Sequence, residues 1–172
     1  MRQLIFLLFL IPFINADLAA QKPPETVSEY EKAYQRRIRR EMISGVYIPK
    51  DIGNAFAELN RLTDKESRAK FKSMPEALAA QKLHFSLGRW LIVNWGFYEG
   101  SRFTVWLNQV GLFHPDDMAR FVIITYHRNL NRNSLEVKAL VEHLLENRKK
   151  IEAEKKQKSP KTILSEETRK RQ

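Results

Sequence analysis

The 172-residue chain contains no cysteine. This absence excludes disulfide bonds, a cysteine nucleophile, zinc sites built on thiolates and a lipid-modified N-terminal cysteine. The folded protein must therefore be held together by its apolar core alone.

Nucleotide-binding loops and serine nucleophiles are missing as well. The segments LGRW and YEGSR each contain a single glycine, whereas phosphate-cradling loops need several glycines at fixed spacing. Ser86 and Ser101 lack the strained, glycine-flanked turn that exposes a catalytic serine. We therefore expect no cofactor and no serine nucleophile.

Metal-binding patterns are absent too, since the four histidines are scattered along the chain. No two of them have the spacing of a helical zinc motif. Asp116 and His127 would share one face of a helix, but eleven residues separate them by about 16 Å along its axis. The sequence thus predicts no metal site.

The first 20 residues have the pattern of a secretory signal peptide. Met1-Arg2 leads into the apolar run LIFLLFLIPFI, which is short for a membrane span and is followed by small residues. We expect cleavage after Ala20, which leaves Gln21 as the new N-terminus, although Leu18 is large for its position. The alternative is an uncleaved membrane anchor. The predicted location is periplasmic or extracellular.

Positive charge is concentrated near the chain ends. Residues 147–172 carry ten Lys or Arg and four Glu, which is most of the net charge of +10. Residues 46–146 carry thirteen basic and eleven acidic side chains. Nucleic-acid binding requires basic residues gathered on a folded face, so no specific nucleic-acid partner is expected.

Both charged ends have a structural interpretation. Residues 147–172 mix both signs of charge and contain Pro160, which predicts a helix that frays into a disordered tail. Alternatively, this tail makes a weak contact with anionic envelope surfaces that salt would weaken. Residues 21–45 are interpreted as a charged segment containing an exposed helix that ends near Gly45.

Helical periodicity dominates the rest of the chain, and no segment shows the clean alternation of a half-buried strand. The pattern predicts an all-α protein with about six helices in one compact domain, centred on residues 46–146. Trp90 and Trp106 are expected to be fully buried. One predicted buried stripe comprises Ile52, Ala55, Phe56, Leu59 and Leu62.

Capping residues predict where the helices begin and end. Thr63 and Glu66 form a capping-box pattern, and Ser101 begins a further helix after Gly100. Pro75 and Pro115 suit first helical turns, the latter followed by two aspartates. The remaining signals are C-terminal stops at Gly96 and Gly111 and a last helix start after Asn133-Ser134.

Several motifs resemble a bacterial domain family of unknown function, number 6794. In order they are YIPKDIGNAFAELNRL, FKSMPE, LHFSLGRWLIVNWGFYEGSRF, GLFHPDDM and YHRNLN. The resemblance covers Val46 to Asn131 and neither tail. It implies a helical domain usually found in exported or envelope proteins, and it implies no catalytic residue.

The segment Leu83–Phe103 concentrates aromatic and charged residues. A regular helix would place its side chains on two lines: His84, Leu87, Leu91 and Trp95, and Phe85, Arg89 and Ile92. Both lines carry large apolar residues, so we expect this helix to be covered on more than one side. Arg89 would then need a partner, for which Glu99 and Asp117 are the candidates.

Three interpretations of the Gly96–Arg102 turn remain open. In the first, Arg89, Glu99 and Arg102 form a structural network that fastens the turn. In the second, Arg89 and Arg102 form an anion-binding fork; its cleft would be bordered by Trp95, Phe97 and Tyr98. In the third, Glu99 is the desolvated general acid of a glycan hydrolase.

The motif YHRNLN forms a second polar cluster. His127 and Arg128 lie near the C-terminus of a predicted helix, where the helix dipole favours positive groups. That electrostatic fit is one interpretation. The alternative is that this helix end approaches the Gly96–Arg102 turn and completes a composite site.

These observations favour a non-catalytic protein-interaction module in the periplasm or cell envelope, whose partner is another envelope or exported protein. Such a module should expose a patch of aromatic and arginine side chains. The alternatives are an envelope glycan hydrolase and a small-anion binder. Candidate binding residues are Arg89, Trp95, Tyr98, Glu99, Arg102, His127 and Arg128.

Overall fold

The computed structural model describes Pro24 and residues 26–158. The predicted signal peptide, residues 1–20, and the final part of the predicted tail, residues 159–172, lie outside the described residues. Within the described part the protein is helical apart from a two-stranded hairpin, which confirms the predicted all-α class.

Eight α-helices follow one another along the described chain. They are α1 Val27–Arg37, α2 Ile52–Leu62, α3 Lys65–Ser73, α4 Glu76–Leu83, α5 Arg89–Asn94, α6 Arg102–Gln109, α7 Pro115–Leu130 and α8 Val137–Lys158. A π-helical turn, His84–Gly88, joins α4 to α5 in one continuous helix. The antiparallel hairpin of β1 Met42–Ile43 and β2 Val46–Tyr47 follows α1.

Helix α7 lies at the centre of the fold. Helices α2, α3, α4, α5 and α8 and the π turn all contact it, and every residue from Phe121 to His127 is buried. A helix covered on all sides must be apolar around most of its circumference, which the segment FVIIT provides. One apolar core therefore runs through the domain and reaches α8 at Leu140, Val141 and Leu144.

Most of the predicted helix ends are confirmed. The Ser101 side chain accepts a hydrogen bond from the backbone N–H of Thr104 and caps α6. Gly96 and Gly111 follow α5 and α6 with φ of 64° and 98°, the left-handed conformation in which helices commonly end. Pro115 occupies the first position of α7.

Helix α1 ends earlier than predicted. The helix stops at Arg37, and the chain then reverses in the hairpin through Ser44 and Gly45, both with positive φ. The charged segment therefore does not remain helical up to Gly45. A glycine after a short apolar strand here makes a hairpin turn rather than a helix cap.

The predicted capping box of α3 is wrong by one residue. Asp64, a stronger cap than threonine, accepts a hydrogen bond from the backbone N–H of Ser67. Thr63 instead ends α2, where its hydroxyl donates to the Leu59 carbonyl. Leu62, the last residue of α2, is exposed rather than part of the buried stripe.

The α4–α5 helix, which contains the π turn, is buried on one side only. Phe85 and Arg89 are exposed, while Leu91 is buried. The prediction that this helix is covered along both lines is wrong at Phe85 and Arg89. Gly88, within the turn, is buried against α7.

The tryptophans are also buried differently from the prediction. Trp90 and Trp106 are only partly buried, whereas Trp95 is fully buried. The Trp95 ring meets Trp90 and Phe103 edge-on, with centroids 6.1 and 5.3 Å apart. Trp90 packs against Trp95, and Trp106 stacks on Phe103. Both keep part of their surface in water.

Helix α8 extends beyond the domain body. Its Arg148 is paired with Asp117 at 2.8 Å, and residues 149–157 are all exposed. At 1.5 Å per residue these nine positions project about 14 Å. Residue 147, the predicted start of the tail, lies inside this continuous helix.

Candidate functional site

The Gly96–Arg102 turn is built around two glycines. Gly96 and Gly100 have φ of 64° and 86°, which few other residues tolerate. The N–H of Phe97 donates to the Ile92 carbonyl at 2.9 Å and holds Phe97 beneath the end of α5. Phe97 is therefore buried, and Tyr98 is left exposed at the tip of the turn.

Helix α1 packs against this turn through Tyr34 and Arg37. A Cβ atom on Gly100 would lie 2.4 Å from Cε2 of Tyr34, so the ring rests directly on the glycine backbone. Arg37 donates from Nε to the Gly100 carbonyl at 2.8 Å, and its Nη2 lies 3.4 Å from Oε2 of Glu99. A Cβ atom on Gly96 would lie 3.1 Å from the same Nη2. Both glycines thus permit the close approach of α1.

Arg102 is held by the segment that follows α1. Its Nε donates to the Ile48 carbonyl at 2.7 Å, and its Nη1 donates to Glu41 at 2.8 Å. The guanidinium also lies 5.1 Å from the centroid of the Tyr47 ring, a cation–π contact. Arg102 therefore fastens the hairpin segment to the start of α6.

Arg89 does not join this cluster, because its side chain is exposed on the α4–α5 helix. Its two expected partners pair elsewhere. Glu99 contacts Arg37, and Asp117 contacts Arg148. Among the described residues, neither the expected structural network with Arg89 nor the anion-binding fork is formed.

His127 and Arg128 tie α7 to the start of α4. His127 Nε2 lies 2.8 Å from the Met74 carbonyl oxygen. Arg128 donates two hydrogen bonds of 2.8 Å to the Glu76 carboxylate and a third to the Leu135 carbonyl. The bonds from Arg128 lower the pKa of Glu76. These partners lie away from the Gly96–Arg102 turn, so the expected composite site is not formed.

A groove of about 430 Å³ opens between α1 and the turn. Its buried base includes Phe97, Gly100, Thr104 and Met118. Its rim carries the rings of Tyr30, Tyr98 and Phe113, which are 68, 72 and 71% exposed. We call this feature the aromatic groove. Trp95, a predicted binding residue, is fully buried and does not reach its surface.

Three residues at this site, Tyr34, Arg37 and Phe113, are not among those predicted from the sequence. A signal for the first two exists, because Tyr30, Tyr34 and Arg37 are spaced i, i+4, i+7 and share one helical face. The high charge of that segment instead led to the prediction of an exposed helix. Phe113 follows the helix stop at Gly111, and no local pattern indicates where its ring lies.

Metal and membrane sites can be assessed for the part of the chain that the structure describes. No three histidine, aspartate or glutamate side chains there could hold a metal ion together. The Asp116 carboxylate lies 3.9 Å from His84 and 3.8 Å from His114. None of the described helices has both the length and the apolar composition that crossing a bilayer requires.

Comparison with protein families shows that residues 48–130 match the family described as Domain of unknown function (DUF6794). The resemblance indicated by the sequence motifs is confirmed over this range. Comparisons with curated proteins and with solved structures gave no match. The matched range runs from the end of the hairpin through α7, so α1 and α8 lie outside it.

Proposed function

We propose that this chain, in which residues 48–130 match the DUF6794 family, is an exported protein-interaction module of the bacterial cell envelope. The module is non-catalytic. Its binding surface is the aromatic groove, and its partner is another envelope or exported protein.

The exposed rings of Tyr30, Tyr98 and Phe113 carry this proposal. All three border one groove, and each exposes more than two thirds of its surface. Aromatic side chains are enriched in protein interfaces because each buries a large apolar area while few rotatable bonds become ordered. Buried Phe97 and Met118 add an apolar base. The surface is therefore suited to apolar side chains of a partner.

The geometry gives less support to a small-anion binder. Arg102 is engaged by the Glu41 carboxylate and the Ile48 carbonyl. Arg37 is engaged by the Gly100 carbonyl and Glu99. Both guanidinium groups are thus already held by acceptors of the chain, and the nitrogen of Arg102 that lacks a partner, Nη2, is buried away from solvent.

A glycan hydrolase is supported still less. Its general acid requires a desolvated carboxyl group with a second carboxylate at a suitable distance. The Glu99 side chain is 63% exposed and lies beside Arg37. The aromatic rings at the turn therefore do not enclose the only carboxylate that the turn contains.

Affinity capture from native envelope extract tests the proposal. A Tyr98→Ala/Phe113→Ala variant should lose a partner that the wild-type protein retains. Phe85→Ala is the matched control, because Phe85 is 84% exposed but borders a different groove. Melting temperatures should show that all three proteins are folded. A partner retained by the double variant, or lost equally from the control, would contradict the assignment to the aromatic groove.

Export is the second part of the proposal, and the N-terminal apolar run supports it. Mass spectrometry of the protein from an envelope fraction should give Gln21 as its first residue. A chain that begins at Met1 in that fraction would instead indicate an uncleaved anchor, and recovery in the cytoplasm alone would exclude export.

We further propose that the basic end of α8 makes a weak contact with anionic envelope surfaces. Residues 149–157 are exposed and contain four lysines and two glutamates. Sedimentation with anionic lipid vesicles should decrease as salt rises, because exposed charges are screened. Equal sedimentation with neutral vesicles would contradict an electrostatic contact.

A further inference from the structure

A second groove, of about 440 Å³, opens between α8 and the helix formed by α4 and the π turn. Its base includes the buried side chains of Ala80, Ile124 and Leu144, and Arg120 of α7 lines it as well. None of its lining residues belongs to the aromatic groove. We call this feature the α8 groove.

Arg120 differs from the other partly buried arginines of the described chain. Each of the others donates to a carboxylate or to a backbone carbonyl; they are Arg37, Arg68, Arg102, Arg128 and Arg148. Within the described residues, Arg120 makes no hydrogen bond, ion pair or cation–π contact. Its guanidinium has therefore lost part of its hydration without gaining an acceptor, a cost that an incoming anion would offset.

The charges around Arg120 favour a singly charged anion. Among the described residues, no acidic side chain lines the α8 groove. Asp116 lies one turn before Arg120 on α7, but its carboxylate lies 3.9 Å from both His84 and Arg148. Arg120 supplies the one permanent positive charge of the lining. A planar guanidinium can donate to both oxygens of a carboxylate, which carries one negative charge.

Phe85 gives the α8 groove an apolar rim. Its ring is 84% exposed, and the His84 ring contacts it edge-on with centroids 5.0 Å apart. The side-chain amides of Gln81 and Asn147 also line the groove. Sites for small ligands combine an apolar lining with a few polar groups in this way. The free face of the Phe85 ring can pack against an apolar group of a ligand.

From these observations we propose that the α8 groove binds a small organic carboxylate. The carboxylate of the ligand pairs with Arg120, and its apolar part packs against Phe85 and the base of the groove. This site goes beyond the interaction function of the aromatic groove and does not depend on it.

Titration with naphthoate at neutral pH tests the proposal. Naphthoate joins one carboxylate to an apolar double ring, and naphthamide is its neutral counterpart. In NMR spectra, the side-chain N–H signals of Arg120 and Asn147 should shift saturably with naphthoate. Naphthamide should bind about tenfold more weakly, because it cannot form charge-assisted hydrogen bonds with Arg120. Tighter binding of naphthyl phosphate than of naphthoate would contradict the carboxylate.

Two variants test the residues that carry the proposal. Arg120→Gln should raise the Kd for naphthoate about tenfold. Its melting temperature should match that of the wild-type protein, because Arg120 has no partner in the described chain. Phe85→Ala should raise the Kd about fivefold through the loss of apolar contact. Arg89→Gln is the matched control, since Arg89 is exposed on α5 and does not line the groove.

Three results would overturn the proposal: no saturable shift at millimolar naphthoate, equal binding of naphthamide, or an equal Kd for Arg120→Gln and Arg89→Gln. A large fall in the melting temperature of Arg120→Gln would instead show that Arg120 supports the fold.

This result can be separated from the test of the proposed function. Tyr98→Ala/Phe113→Ala should bind naphthoate as tightly as the wild-type protein, and Arg120→Gln should retain a captured partner. If naphthoate binds but no partner is captured, the interaction function fails and the α8 groove stands. If a partner is captured but naphthoate does not bind, the carboxylate site alone is wrong.

Discussion

Substitution of Gly100 by alanine perturbs the contact between α1 and the turn most directly. Residue 100 has φ of 86°, which disfavours a non-glycine residue by roughly 1–2 kcal/mol. The new methyl group would lie 2.4 Å from Cε2 of Tyr34, roughly 1 Å inside normal contact distance. Because α1 has no buried residue, we expect this helix to move away while the domain stays folded.

The loss of α1 docking adds to the backbone strain. Tyr34 is partly buried, and half-burial of an aromatic side chain contributes about 1 kcal/mol. Gly100→Ala should therefore lower the free energy of unfolding by about 2–3 kcal/mol, and Tyr34→Ala by about 1 kcal/mol. In the double variant the docking is lost only once. The sum of the two single losses in the free energy of unfolding should therefore exceed the loss in the double variant by about 1 kcal/mol.

Urea unfolding followed by tryptophan fluorescence measures the three free energies. Limited trypsin digestion provides a second readout, because detachment of α1 should accelerate cleavage between Arg36 and Arg40 in both single variants. If the losses of the two single variants add up to the loss of the double variant within about 0.5 kcal/mol, Gly100 and Tyr34 do not share the contact that stabilises α1 docking. Unchanged digestion of Gly100→Ala would refute displacement of α1.

Three further predictions concern residues outside this contact. Trp95→Ala should lower the free energy of unfolding by about 3–5 kcal/mol because Trp95 is fully buried; a loss below about 1 kcal/mol in urea unfolding would contradict this. Arg102→Gln should lower it by about 1–3 kcal/mol because the bond to Glu41 is lost, and an unchanged melting temperature would contradict this contribution. Arg128 lowers the pKa of Glu76, so the stabilisation is present above the unfolded pKa of about 4.3 and is lost as pH falls through the lower folded value. Glu76→Gln should therefore flatten the acid side of the stability profile, and an unchanged profile would refute this coupling.

Helix ends could be predicted from the sequence because each depends on residues within about one turn. Ser101 caps α6 through its neighbour Thr104, and Pro115 starts α7 through its own ring. Gly96 and Gly111 end helices by adopting positive φ. The α3 cap was missed because Thr63 and Asp64 are adjacent residues of similar capping chemistry.

Contacts between distant segments could not be predicted in the same way. Arg102 binds Glu41 across 61 positions, and Arg37 binds Gly100 across 63. Many carboxylates and carbonyls of the chain could accept a hydrogen bond from an arginine, so residue type alone does not identify the partner. The actual partner depends on where the hairpin and α1 fold. The groups that contact the Gly96–Arg102 turn come from α1 and from the hairpin segment, residues 34–48, which lie far from it in the sequence.

The candidate site residues illustrate both outcomes. Tyr98, Glu99 and Arg102 lie at the turn as their sequence positions require. Arg89 does not, because its side chain is exposed on the α4–α5 helix and its two candidate partners pair with Arg37 and Arg148. Arg128 is engaged at the opposite end of α4–α5, which no local pattern indicates.

The number of residues in the π turn His84–Gly88 determines how α4 is rotated relative to α5. Deleting one residue there would restore a regular helix and rotate α4 by about 100° relative to α5. The buried faces of Ala79 and Ala80 would turn away from α7, and the Glu76–Arg128 ion pair would separate. The aromatic groove lies beyond α5 and does not contact that ion pair. The number of residues between them nevertheless sets the orientation of the groove relative to the ion pair.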